Sequence, residues 1–191
     1  LIVWDLESGQ ALNKLEGHYL GVICVDITPD GKYIISGSMD RSLIVWSLES
    51  GRLVHRLGGH SESVTTAIVT PDGKQLVSGS HDGTIGVWDL YSGQLLYKLR
   101  AGPFYNHKIL IIPTLDGKCI ISTRYDALLV WDLGNAQLKY RLEGHSGKID
   151  GVAITPDGKH LVSNAVGDSD LIVWNLESAS IPQLQEGDSR S

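Results

Sequence analysis

Short apolar runs alternate with clusters of Gly, Pro, Asp and Ser along most of the chain. In one representative stretch these runs are 22–27, 33–36, 43–48 and 53–57, each rich in Val, Ile or Leu. Runs of this length bounded by turn-forming residues are typical of β-strands, and the sequence has no periodic segment of helix length. The pattern therefore predicts an all-β chain whose short strands are joined by tight turns.

Five tryptophans divide this pattern into repeats of 42 or 43 residues. Each tryptophan lies in a similar phrase, such as LIVWSL at 43–48 and LLVWDL at 128–133. A regular period of this length indicates a repeat architecture, and about four predicted strands fall within each repeat. The five tryptophans are Trp4, Trp46, Trp88, Trp131 and Trp174.

A second phrase keeps the same period. Residues 28–31, 70–73 and 155–158 all read Thr-Pro-Asp-Gly, and residues 114–117 read Thr-Leu-Asp-Gly. Proline fixes φ at the second position of a β-turn, and glycine suits the last position. We expect a β-turn at each of these places.

A four-stranded unit of about 42 residues cannot bury both faces of its sheet, and radial stacking of such units produces a β-propeller. The chain resembles the WD40 repeat family, which combines this period with Gly-His and Trp-Asp phrases. Gly-His stands at 17–18, 59–60 and 144–145, and Trp-Asp at 4–5, 88–89 and 131–132. Trp-Ser at 46–47 and Trp-Asn at 174–175 are mild departures. The resemblance covers residues 1–176 and implies a WD40-type β-propeller.

The resemblance implies about four and a half blades, each of four antiparallel strands. We expect a partial blade at 1–16, blades at about 20–57, 62–99, 105–142 and 148–178, and a polar tail at 179–191. The segment Ile181–Leu184 would supply only a poor last strand, because Pro182 cannot donate to the ladder. WD40 rings commonly have seven blades, and open strand edges invite pairing. We therefore expect the chain to be part of a larger ring, whose remaining blades come from the same longer chain.

His, Ser, Asp and Trp recur at fixed offsets in the repeats. A nucleophile, a base and an orienting carboxylate would use the same residue types, but an active site is needed once and this set returns in every regular repeat. In the WD40 family the matching residues form a buried network that runs from the Trp N–H through Ser and His to Asp. Such satisfied buried groups fix the register of a blade. We expect this structural role, and no catalytic or metal-binding role, for His18, Ser36, Asp40, Trp46, His60, Ser78, Asp82, Trp88, Ser122, Asp126, Trp131, His145, Ser163, Asp168 and Trp174.

Two repeats depart from these offsets. In one, Phe104 stands where the histidine is expected, His107 is out of register, and the step from Asp126 to the next tryptophan is one residue short. That network is expected to be incomplete or rebuilt around His107. In the last repeat an extra residue leaves either Asp168 or Asp170 as the turn carboxylate.

The resemblance also implies where a partner would bind, because propellers of this family usually bind peptides or protein surfaces across the narrower face and the channel mouth. The matching positions follow the Gly-His histidine by five residues or precede the turn aspartate by one. Their mixed chemistry suits a protein segment better than a phosphate backbone. The candidates are Ile23, Met39, Thr65, His81, Tyr125 and Asp150. In the irregular loop, Phe104 and Tyr105 either form an exposed aromatic anchor or pack under the loop.

Composition narrows the function classes. The chain has 16 Lys plus Arg against 22 Asp plus Glu, a net charge of −6, which disfavours non-specific nucleic-acid binding. No apolar run approaches the ~20 residues that span a bilayer, so we expect no membrane partner. The two cysteines lack metal-ligand spacing and suggest buried thiols in a reducing, cytoplasmic setting. We expect neither a metal nor a cofactor.

These features favour a non-catalytic scaffold that binds a protein or peptide on the propeller face. The alternative is a sensor or autoinhibitory arm of a larger nucleotide-dependent signalling protein, which the well-preserved Thr-Pro-Asp-Gly-Lys repeats resemble. Fold analogy alone does not establish that role. A propeller enzyme is a remote alternative, because it would need a unique cluster of reactive groups in the channel.

Overall fold

The structure is a computed structural model that describes residues 1–102 and 109–176 of the 191-residue chain. The described residues form strands and turns, which confirms the predicted all-β fold class. Strands β1 (Ile2–Trp4) and β2 (Ala11–Lys14) pair as a two-stranded first sheet. The second sheet contains β3 (Val22–Ile27), β4 (Tyr33–Ser38), β5 (Ser42–Ser47) and β6 (Leu53–Gly58).

Two further four-stranded sheets and one three-stranded sheet follow. The third sheet contains β7 (Val64–Val69), β8 (Gln75–Ser80), β9 (Thr84–Asp89) and β10 (Leu95–Arg100). The fourth contains β11 (Ile111–Pro113), β12 (Cys119–Arg124), β13 (Ala127–Asp132) and β14 (Gln137–Glu143). The fifth contains β15 (Ile149–Ile154), β16 (His160–Ala165) and β17 (Ile172–Asn175). Every sheet is an antiparallel meander in chain order, which is the architecture of propeller blades.

The Thr-x-Asp-Gly phrases form the turns between the first and second strands of the second to fifth sheets. In the first copy the Thr28 hydroxyl donates to Asp30 Oδ1 at 2.6 Å, the Gly31 N–H donates to the Thr28 carbonyl, and Gly31 has φ +69°. The copy without proline, 114–117, has the same hydrogen bonds and a φ of +67° at its glycine. The threonine, aspartate and glycine therefore maintain the turn when proline is replaced by leucine.

The sheets stack face to face through apolar side chains. The first strands lie side by side, with β3 against β7, β7 against β11 and β11 against β15. Between the second and third sheets, Ile35 and Val45 pack against Leu76 and Trp88, and all four are buried. Trp46, Trp88, Trp131 and Trp174 thus each face the preceding sheet.

The described residues do not close into a ring. The expected loop residues Phe104, Tyr105 and His107 lie outside the described residues, as do the segment Ile181–Leu184 and the tail 179–191. Within the described ranges, no helix is long and apolar enough to span a membrane.

Candidate functional site

A buried chain of side chains crosses the third sheet from its tryptophan to its turn aspartate. Trp88 Nε1 donates to Ser78 Oγ at 2.9 Å, and Ser78 Oγ lies 2.8 Å from His60 Nε2. His60 Nδ1 lies 3.1 Å from Asp82 Oδ2. Ser78 is completely buried, and the side chains of His60 and Asp82 are almost completely so.

The Asp82 carboxylate, at one end of this row of side chains, fixes the direction of every hydrogen bond in the row. An ionised carboxylate only accepts, so His60 Nδ1 carries the proton and donates to Asp82. A neutral imidazole then accepts at Nε2, and the Ser78 hydroxyl donates to it while accepting the Trp88 N–H. Each group has a partner, which makes the burial of four polar side chains tolerable.

The same arrangement occurs in the second and fifth sheets. Ser36 Oγ accepts from Trp46 and lies 2.8 Å from His18 Nε2, and His18 Nδ1 lies 2.9 Å from Asp40. In the fifth sheet the matching groups are Ser163, Trp174, His145 and Asp168, and the distance from His145 Nδ1 to Asp168 Oδ2 is 2.7 Å. The structure therefore places Asp168, the first of the two aspartates left open by the sequence, beside the histidine.

The fourth sheet has only part of this network among its described residues. Trp131 Nε1 donates to the buried Ser122 at 2.9 Å, as in the other sheets. Asp126 is exposed and forms no hydrogen bond with another described residue. Arg124 pairs directly with Ala127 across a two-residue turn in which Tyr125 has φ +44°. Asp126 therefore takes no part in the described portion of this network, and the loop residues expected to face it, 103–108, lie outside the described residues.

Burial and hydrogen bonds together shift the pKa values of Asp82, Asp40 and His60. Burial opposes ionisation of Asp82, but donation from the Thr84 hydroxyl, the Ser61 N–H and His60 holds the pKa of its carboxyl well below its usual range. The pKa of Asp40 is lowered in the same way by matching donors. Burial lowers the pKa of His60 and outweighs the opposing effect of Asp82. For the pair of Asp82 and His60, the fold therefore favours an ionised aspartate and a neutral histidine near neutral pH.

A basic residue on the outermost strand extends two of the networks, and sequence reasoning missed it. Arg56 donates from Nη2 to the Gly17 carbonyl and from Nη1 to Ser42 at 3.0 Å. Lys98 Nζ donates to the Gly59 carbonyl at 2.8 Å and lies 3.6 Å from Asp82 Oδ2. A regular offset could have revealed these residues, since a basic side chain follows each of the first four tryptophans by ten positions: Lys14, Arg56, Lys98 and Arg141.

Five of the six candidate partner-binding residues are exposed at one end of the sheets. We call this the histidine end, because it carries the Gly-His loops and the turns between second and third strands. The Met39 N–H donates to the Gly21 carbonyl and the His81 N–H to the Ser63 carbonyl, which ties each turn to its Gly-His loop. The exposed candidates are Ile23, Met39, His81, Tyr125 and Asp150.

Thr65 differs from this expectation, because it is only 3% exposed. Its hydroxyl donates to the Gly79 carbonyl at 3.3 Å, and its strand β7 is flanked by both β3 and β11. Ile23 occupies the matching position on β3, which lacks a described neighbour on its outer flank. A side chain at this position is therefore covered when both neighbouring blades are present.

The remaining reactive groups are dispersed. Within residues 1–102 and 109–176, no cluster of three or more His, Cys, Asp or Glu has the arrangement of a metal site. Cys24 and Cys119 do not form a disulfide, and burial raises the pKa of Cys119. The reactive-looking His, Ser and Asp side chains of the repeats lie in three separate sheets.

Stacked antiparallel meanders of up to four strands, three of them with a complete Trp-Ser-His-Asp network, define β-propeller blades built from tryptophan repeats. The WD domain, G-beta repeat family matches residues 9–47, 51–89 and 136–175, which together are more than half of the chain. The chain therefore belongs to the WD40 repeat family, as its sequence predicts. The matched ranges omit residues 90–135, which include the shortened turn of the fourth sheet.

One relative matches part of a repeat array. A 40-residue segment is 48% identical to an uncharacterized WD repeat-containing protein of Schizosaccharomyces pombe. The match covers 21% of this chain and 10% of the length of that protein. WD40 repeats are generally protein-interaction scaffolds and generally not enzymes.

Proposed function

We propose that this chain is a non-catalytic scaffold that binds a protein or peptide at the histidine end of its blades. One observation carries the proposal: the serine hydroxyls that would serve as nucleophiles are buried, whereas non-network side chains at the same end are exposed. Ser36, Ser78 and Ser163 are at most 1% exposed, and each accepts a tryptophan N–H. A substrate has no access to a hydroxyl in that position.

The chemistry of the exposed residues favours a protein partner. Met39 and Tyr125 offer large apolar contact surfaces, His81 and Asp150 offer polar contacts, and such a mixture is typical of protein interfaces. Nucleic-acid affinity derives largely from neutralised phosphates, and the chain has a net charge of −6. A protein or peptide therefore fits this end better than a nucleic acid.

The experiment is affinity capture with variants at opposite ends of the blades. The double variant Met39→Ser, Tyr125→Ser changes the histidine end. Its matched control, Leu115→Ser with Tyr91→Ser, changes side chains of similar exposure in turns at the other end. We expect the first double variant to lose partners that the parent and the control both retain. Loss of the same partners from both variants, or from neither, would contradict binding at the histidine end.

We also propose that further blades of the same longer chain cover the outer faces of the first and last sheets. Trp4 is 55% exposed, whereas Trp46 and Trp88 are each 2% exposed in matching positions. Val173 is 63% exposed, whereas its counterpart Val87 is fully buried. These faces have the composition of the buried inter-blade interfaces, which supports a blade as their cover. Detection of the native polypeptide by immunoblotting tests this proposal, and a native product of only 191 residues would contradict it.

A reducing, intracellular location is part of the same proposal. Cys24 and Cys119 are both unbridged, and unbridged thiols are typical of reducing compartments. Fractionation followed by immunoblotting of the native protein is the direct measurement. Recovery of the protein only from the secreted fraction would contradict the assignment.

A further inference from the structure

Neighbouring sheets leave a groove between their Thr-x-Asp-Gly turns, at the end of the blades opposite the histidine end. Between the second and third sheets the groove has a volume of about 150 Å³. Between the fourth and fifth sheets its volume is about 300 Å³, which reaches the lower limit of small-molecule sites. We call the larger one the Cys119 groove, and its apolar walls are Leu115, Cys119, Val130, Tyr140 and Leu176.

The smaller groove contains a tyrosine side chain at the position where the larger one has a cysteine. Tyr33 begins β4 and Cys119 begins β12, each five residues after the threonine of its turn. The two backbones are held alike, because each N–H donates to that threonine hydroxyl at 3.0 Å. Tyr33 packs against the apolar cluster that includes Leu90 of the third sheet, and Cys119 belongs to the matching cluster, against which Leu176 packs. The smaller side chain leaves room for an aromatic ring between the fourth and fifth sheets.

The apolar wall of the Cys119 groove is accessible to a ligand. Leu90 is 4% exposed in the third sheet, whereas Leu176 at the matching position of the fifth sheet is only partly buried. Tyr91 also borders the smaller groove, and its match, residue 177, lies outside the described residues. The exchange of tyrosine for cysteine is therefore the difference that substitution can test directly. An apolar cavity left by the loss of a large side chain binds small molecules of similar shape.

The polar groups at the mouth of the Cys119 groove favour a neutral ligand with a hydrogen-bond donor. Asp116, Asp157 and Lys139 border the groove, and the lysines that follow the two turn glycines lie exposed nearby. Neither sign of charge is in clear excess, so electrostatic attraction selects neither an anion nor a cation. Donation from the Thr114 hydroxyl and the Lys118 N–H to Asp116 Oδ1 lowers the pKa of this carboxyl. Asp116 Oδ2 accepts no hydrogen bond from a described residue, so it is available to a donor on the ligand.

We propose that the Cys119 groove binds a small neutral phenol, whose ring occupies the space that Tyr33 fills between the second and third sheets and whose hydroxyl donates to Asp116. A free small molecule fits better than a protein segment, because the walls offer the contact area of one ring, whereas a stable protein interface buries about 800 Å² per partner. This site goes beyond the proposed scaffold function and lies at the opposite end of the blades. A ligand there contacts both sheets, so it should also stabilise their packing.

Methyl NMR on the full chain tests the inference with p-cresol as the probe, because p-cresol is the side chain of tyrosine as a free molecule. We expect shifts of the Leu115, Val130 and Leu176 methyl groups with a dissociation constant of roughly 1 mM, which is usual for so small a ligand. Anisole is an isomer of p-cresol without the hydroxyl donor, and it should bind roughly threefold to tenfold more weakly. Saturating p-cresol should also slow the alkylation of Cys119 by N-ethylmaleimide and leave that of Cys24 unchanged.

Exchange of the two side chains provides matched variants. Cys119→Tyr should abolish the shifts, because the new ring fills the groove as Tyr33 fills the smaller one. Tyr33→Cys should create a second site, in which p-cresol shifts the Leu90 methyl groups. Cys24→Ser removes the other thiol and should leave the affinity unchanged. The two exchanges test the site independently, so if one variant fails to fold, the other still decides.

Several results would overturn the inference. They are unchanged p-cresol binding by folded Cys119→Tyr, the lack of a second site in folded Tyr33→Cys, and the absence of shifts up to about 10 mM p-cresol. Roughly tenfold tighter binding of tyramine or 4-hydroxybenzoate than of p-cresol would show that charge selects the ligand, and would overturn the assignment of a neutral phenol. The scaffold function would stand in each case, because its test changes Met39 and Tyr125 at the histidine end.

Discussion

Replacement of Asp82 by alanine should destabilise the chain by about 3 kcal/mol, because four donors lose their acceptor together. These donors are His60 Nδ1 at 3.1 Å, the Ser61 N–H at 2.9 Å, the Thr84 N–H at 2.9 Å and the Thr84 hydroxyl. A buried donor without a partner costs roughly 1 to 3 kcal/mol. Ser61 is exposed and Thr84 is only partly buried, so water can replace the acceptor for most of these donors and we take the low end of that range for each. Relief from desolvating the carboxylate offsets a part of the sum.

Urea unfolding monitored by tryptophan fluorescence measures this free energy, and thermal melting should show a decrease of roughly 6 to 12 °C. Asp126→Ala is the matched control, because it removes the same residue type from the corresponding turn of the fourth sheet. Asp126 is exposed and has no hydrogen bond with the described residues, so the control should change stability by less than about 0.5 kcal/mol. Equal stabilities of the two variants would refute the structural role of the Asp82 network.

Three other predictions follow from burial and contact geometry. Burial lowers the pKa of His60, so as pH falls the unfolded chain binds the His60 proton before the folded chain does. The free energy of unfolding should therefore fall as pH drops below about 6.5. In urea titrations, His60→Asn should reduce this dependence of the unfolding free energy on pH. Trp88→Phe should cost about 1 to 2 kcal/mol and Trp4→Phe less than about 0.5, because only Trp88 is buried; equal costs in urea unfolding would contradict this. A Cβ on Gly37 would lie 2.6 Å from the Cys24 sulphur, so Gly37→Ala should lower the melting temperature, whereas Gly58→Ala, with open space around it, should not.

The repeat made most of the fold predictable. The tryptophan period located the blades, and β3 and β7 begin five residues or fewer after their Gly-His phrases as the register of the repeats requires. The Thr-x-Asp-Gly turns also follow directly from local chemistry, since Thr114 and Asp116 form their hydrogen bond without a proline between them. Periodic local signals of this kind do not depend on distant parts of the chain.

The candidate site was less predictable, because exposure depends on neighbouring blades. Thr65 and Ile23 share one position in the repeat, yet only Thr65 is covered by strands on both sides. Asp126 has the residue type expected in a network, but a turn one residue shorter alters the position of its side chain. Lys98 contacts Asp82 from β10, the strand paired with β9; the regular offset from the tryptophan marks Lys98 but does not identify Asp82 as its contact.

The shortened turn of the fourth sheet also determines where the histidine end tolerates substitutions. In the second, third and fifth sheets the turn aspartate is an obligatory hydrogen-bond acceptor, so a substitution there disrupts the interior of the blade. In the fourth sheet the interior keeps the bond between Trp131 and Ser122, while Tyr125 and Asp126 both lie at the surface. This turn is thus the one among the four whose tip can vary in side-chain chemistry without disturbing a buried network. A designer who wished to graft a new binding loop onto this scaffold would begin there.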